Sequence, residues 1–94
     1  MNHPLYHPAI QRDMQIALMS LRTTLSVVAL SDGTRAHVNH LIDVLEKLVN
    51  MQQIEGVMEY IDNLVQILDE VQISPNVFVS VAMRLANLKY MANL

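Results

Sequence analysis

"LIDVLEKLVNMQQIEGVM", residues 41–58, contains no proline and has the length of a single helix. Its apolar phase argues against one. Leu41, Leu45 and Leu48 lie on one face, and continuing that face lands on Gln52 and Glu55, which are polar. The apolar positions that follow, Ile54, Val57, Met58 and Ile61, are offset by two residues, about 200° at 100° per residue. A straight helix would bury opposite sides in its two halves. A turn near "NMQQ" removes the conflict, and Asn50 is the expected left-handed cap. Two helices are therefore expected, at about 34–50 and about 53–72.

The second of these continues its stripe through Leu64, Val65, Leu68 and Val71. The first carries Val38, Leu41, Ile42, Leu45, Leu48 and Val49 on its inner side. Upstream, Ile10, Met14, Ala17, Leu18, Leu21, Leu25 and Val28 recur at three- and four-residue spacing and predict a helix over about 9–30. "TTLSVV" is its weak spot, because β-branched residues lower helix propensity. Gly33 is the expected stop, and Asp32 or Thr34 the expected cap of the next helix. Downstream, Ser74 and Pro75 read as cap and first residue of a helix over about 75–92. Residues 1–8, "MNHPLYHP", read as an extended arm, since each proline disfavours helical angles in the histidine before it. Residues 9–94 read as one helical domain.

The last helix is apolar on two sides. Phe78, Val81, Ala82, Leu85 and Leu88 form one stripe, and Val79, Met83, Ala86 and Tyr90 form another opposite it. A helix apolar all round is buried all round. The first helix has a smaller second patch at Ile16, Met19, Val27 and Leu30. The expected fold is all-α, an antiparallel four-helix bundle that shares its core in a homodimer through these second faces.

Composition points the same way. Apolar residues make up 52% of the chain, above the usual range of about 45–50%, which counts glycine as well. Charged residues make up 16%, against about 25% ordinarily. A domain of 94 residues has little interior in which to hide that excess. There are no cysteines, so disulfides and thiolate metal sites are excluded. No apolar run has membrane-spanning length, and no signal peptide is expected. The net charge is −3 with six Lys and Arg, so no basic stripe exists for nucleic acid. A cytoplasmic protein is expected, with the brevity and lack of cysteine associated with bacterial or phage origin.

"RAHVNHLID", residues 35–43, raises the question of a metal site. His37, His40 and Asp43 are spaced i, i+3, i+6. With Leu41 as the centre of the buried face, His37 falls at the rim and His40 near solvent. Asp43 is farther round, in reach of Lys47 at i+4. Zinc needs three or four ligands converging on one point, and these three fan outward, even if His3 or His7 swung in from the arm. No metal and no cofactor are expected.

Carboxylates are more numerous. Seven of them and one lysine lie between residues 43 and 70. Glu55, Glu59, Asp62 and Asp69, flanked by Glu70, share the polar side of the third helix. Such a strip either keeps the protein soluble or docks a basic partner, which gains on-rate and orientation from it. Seven methionines and one phenylalanine suggest an adaptable interior, with Met83 and Met91 available to a surface that repacks around partners.

Asp43-x-x-Glu46 and Glu59-x-x-Asp62 resemble, in these four residues, the paired acidic motifs of the all-α nucleoside triphosphate pyrophosphohydrolases of the MazG type. The resemblance implies magnesium held between carboxylates of adjacent helices, and magnesium does prefer oxygen ligands. Here the helical phase turns both pairs away from the apolar stripes. The leading expectation is therefore a non-enzymatic regulator that binds another protein with a basic surface: an adaptor, inhibitor, antiactivator or chaperone-like protein. A metal-dependent pyrophosphohydrolase and a structural assembly subunit are the alternatives.

Overall fold

A computed structural model describes residues 8–53, 56–71 and 73–93, and of Asn93 only the backbone. Residues 1–7 of the expected arm (with His3 and His7), Ile54 and Glu55 lie outside the described residues, whereas Pro8, expected in the arm, is the first residue of the first helix. Four helices follow one another: α1 (Pro8–Ser26), α2 (Asp32–Asn50), α3 (Val57–Glu70) and α4 (Pro75–Asn93). No strand occurs among the described residues. Each helix packs on two others, α1 on α2 and α4, and α3 on α2 and α4. Gln11 at the start of α1 reaches the carbonyl of Val49 at the end of α2. Asp62 early in α3 meets Lys89 late in α4. These pairings fit an up-and-down antiparallel bundle.

The expected stripes supply the core. Met14, Leu18, Leu21, Leu25 and Val28 are buried from the α1 side, and Val38, Leu41, Ile42, Leu45 and Val49 from α2. Val57, Ile61, Leu64 and Leu68 come from α3, and Val81, Leu85 and Leu88 from α4. No polar or charged residue is buried among the described residues. The interior is held by apolar burial alone, at about 25 cal/mol per Å² removed from water.

Turn chemistry differs from expectation in three places. α1 stops at Ser26, inside the β-branched segment and not near residue 30. The Thr23 and Thr24 hydroxyls bond back to the Met19 and Ser20 carbonyls. Arg35 then caps the end from α2, donating to the carbonyls of Leu25 and Val28. The cap of α2 is Ser31, whose Oγ accepts from the Thr34 N–H. Gly33 therefore lies within the first turn of α2 and stops nothing.

The α2–α3 break is where the phase places it, but its left-handed residue is Gln52 (φ 57°), not Asn50. The Gln53 N–H donates to the Leu48 carbonyl and the Gln52 N–H to that of Val49. Those are the two bonds of a Schellman motif, with Gln52 in the position usually taken by glycine. Gly56 (φ 98°) precedes α3. α3 therefore begins at Val57 and not at residue 53, so Gly56 is a turn residue rather than a mid-helix one. Pro75 opens α4 as expected.

Candidate protein-binding surfaces

α4 presents its second stripe outward. Val79 is 55% exposed, Met83 68% and Tyr90 65%, and Ala86 is exposed beside them. Val81, Leu85 and Leu88 supply the buried side of this helix, and the outward side chains have no place in the monomer's core. On neighbouring α1, Ile16 and Met19 are 56% and 65% exposed. A shallow cavity of about 490 Å³ separates the two helices, with Ile16 and Tyr90 at its walls and Asp13 and Arg84 among its polar residues. Arg84 donates to the Ser20 and Ser80 hydroxyls and forms no ion pair among the described residues. Leu30 is half-buried against the core and does not belong to this outer patch. Met91 is buried, so of the two methionines proposed for an adaptable surface only Met83 is available.

A second apolar feature lies between α3 and α4. Leu68, Val81 and Leu85 form the floor of a groove of about 210 Å³, with Val65, Phe78 and Ala82 on its walls. Periodicity assigns Val65, Phe78 and Ala82 to the core, yet all three are exposed, Val65 by 42% and Phe78 by 39%. Val65 and Phe78 lie at the flank of their stripes, beside Ala82, which is too short to close the gap. That neighbouring alanine was the signal available in the sequence.

The acidic side of α3 is arranged as expected for its described members. Glu59, Asp62, Asp69 and Glu70 are all exposed, opposite the buried stripe. Asp62 is engaged by Lys89 at 2.9 Å. No other member has an ion pair among the described residues.

Asp43 does not pair with Lys47. Arg22 of α1 bridges to it at 2.6 Å and also to Glu46. Partial burial pulls the Arg22 pKa down, but the bonds to Asp43 and Glu46 outweigh it and leave the guanidinium above its ordinary value. This clamp was missed because helix phase orders contacts within a helix and says nothing of the next one. It also separates the two acidic pairs. Asp43 and Glu46 face α1, whereas Asp62 faces α4, so no shared cleft forms between them.

His37 is exposed, not at the rim. The buried face of α2 centres on Val38, Ile42, Leu45 and Val49, rotated away from His37 by about 60° relative to a centre at Leu41. His37 and Asp43 then flank opposite sides of the helix. No three His, Asp or Glu side chains converge among the described residues. No described helix is long and apolar enough to cross a membrane. Comparison with protein-family models, curated proteins and solved structures finds no match to this chain.

Proposed function

We propose that the chain is a small non-enzymatic protein-binding regulator of the cytoplasm. The observation that carries this reading is the outer face of α4. Val79, Met83 and Tyr90 remain exposed although the core beneath is complete. Soluble monomers rarely keep contiguous apolar surface of this kind, and it ordinarily marks an interface. The first occupant proposed is a second copy, with Val79, Met83, Ala86 and Tyr90 at the dimer interface. The adjoining α1–α4 cavity carries both Asp13 and Arg84. A two-fold axis makes such opposite charges reciprocal, as isologous contacts require. The acidic face of α3, on the other side of α4, is proposed to orient a basic partner protein. No observation favours the pyrophosphohydrolase reading.

Affinity capture from a native lysate tests the proposal, with wild type, Met83→Glu and the double variant Glu59→Lys/Asp69→Lys as baits. All three altered positions are exposed, so the variants should keep wild-type helicity by circular dichroism. The expected result is a partner retained by wild type and reduced by one or both variants. Identical retention by all three baits would count against both faces.

A further inference from the structure

We propose that the α3–α4 groove seats an amphipathic, basic helix from a different protein. The inference rests on the protein-binding reading above and names the partner's chemistry. The groove runs along α4. Phe78, Ala82 and Ala86 line it at i, i+4 and i+8, with Lys89 one turn further. From Phe78 to Lys89 α4 advances about 16 Å, or three turns, at the helical rise. A helix lying in the groove meets them with anchors at i, i+3 or i+4, and i+7, the usual helix-in-groove register. A cavity of roughly 150 Å³ can hold a benzene ring, so about 210 Å³ admits one large anchor side chain. The buried Leu68, Val81 and Leu85 beneath offer it a wholly apolar floor.

Charge decides which helix. α3 holds four carboxylates and no Lys or Arg. Asp62, Val65 and Asp69 follow at i, i+3 and i+7, so the groove's apolar wall and two carboxylates share one ridge. Lys89, on the facing wall, already pairs with Asp62, so the carboxylate a seated helix meets is Asp69, which has no ion pair among the described residues, and Lys or Arg is what that flank favours.

A second copy of this chain is a poor occupant. Of its six basic residues, Arg22, Arg35, Arg84 and Lys89 are already bonded within the chain. Arg12 and Lys47 sit on separate helices. No described helix offers a basic stripe beside an exposed apolar one. An anionic polymer would be repelled by the same rim.

The probe is a fluorescent amphipathic peptide of about 18 residues built from leucine and lysine, long enough to span the groove. An otherwise identical leucine/glutamate peptide is the control. Anisotropy titration should show saturable one-to-one binding of the lysine peptide and none of the glutamate peptide. Ala82→Trp, which fills the groove, should weaken binding by at least about tenfold, the effect of losing a central anchor. Asp69→Lys should weaken it more than Asp32→Lys, which changes the net charge equally but lies on α2, a helix that does not line the groove. Circular dichroism checks the fold, and Val65→Lys replaces Ala82→Trp if that variant unfolds.

The proposal is overturned if the lysine peptide fails to bind, or if Ala82→Trp binds it as wild type does. It is also overturned if Asp69→Lys and Asp32→Lys weaken binding equally, because the attraction is then diffuse. Met83→Glu separates this inference from the broader reading. If that variant alone abolishes peptide binding, the helix sits on the outer face of α4, and the groove assignment falls while a protein-binding role stands.

Discussion

The two glycines exchange the roles that their neighbourhoods suggest. Gly33, after "SD", reads as a helix stop, yet it occupies the first turn of α2 with nothing within 4 Å of where a Cβ would stand. Gly56, which falls inside the helix expected over about 53–72, holds φ at 98° in the turn before α3. A Cβ there would make only ordinary contact with Leu48, so the cost of substitution is in the backbone. The signs of two mutations follow. Gly33→Ala should stabilise the fold by about 0.5–1 kcal/mol, since alanine costs less entropy to order in a helix. Gly56→Ala should destabilise it by about 1–2 kcal/mol, the cost of a left-handed non-glycine residue. Urea denaturation of both variants checks the pair, and like signs would contradict the turn assignment. The sequence could not distinguish the two sites, because a left-handed glycine and a helical one are the same letter. What separates them is where the cap forms. Ser31 outcompetes Asp32 and Thr34, and the Schellman turn closes on Gln52 without needing a glycine.

At the scale of elements, the apolar stripes were legible and their partners were not. Nearly every residue on the expected inner faces of α1, α2 and α3 is buried or half-buried, because a 3.6-residue period is a property of one helix alone. The break between α2 and α3 was legible for the same reason, through its shift of phase. Contacts between helices carry no such period. Arg22 therefore went unnoticed, although it ties α1 to two carboxylates of α2. Its side chain is 35% exposed, so the clamp resembles a surface network more than a buried pair. Arg22→Met, which keeps most of the packing stem, should lower stability by about 0.5–1 kcal/mol. The loss should shrink at high salt as screening weakens the wild-type clamp. Because the pKa of Arg22 is raised on folding, the guanidinium's contribution is present at neutral pH and is lost as pH rises into the strongly alkaline range. Denaturant midpoints at low and high salt measure this, and an unchanged midpoint at low salt would show the clamp to be idle. α4 was legible in a further respect. Its second stripe is apolar in the sequence and exposed in the fold, which is the basis for the interface proposed there.

For the whole molecule, the excess of apolar residues is only partly housed. The four inner stripes close a core with no buried polar group among the described residues. Several large apolar side chains on α1 and α4 are left outside it. The acidic face of α3 and the apolar face of α4 adjoin across the α3–α4 groove, so one side of the bundle joins charge to apolar surface. The two proposed surfaces, one for a basic protein and one for self-association, are then neighbours on one helix pair, with Ala86 common to the groove and the outer stripe. The central claim is that the outer face of α4 is an interface, and sedimentation velocity at micromolar concentration tests it most directly. The account predicts a species of twice the 10.7 kDa chain mass for wild type, converted to monomer by Met83→Glu with helicity intact. A monodisperse wild-type monomer would contradict it.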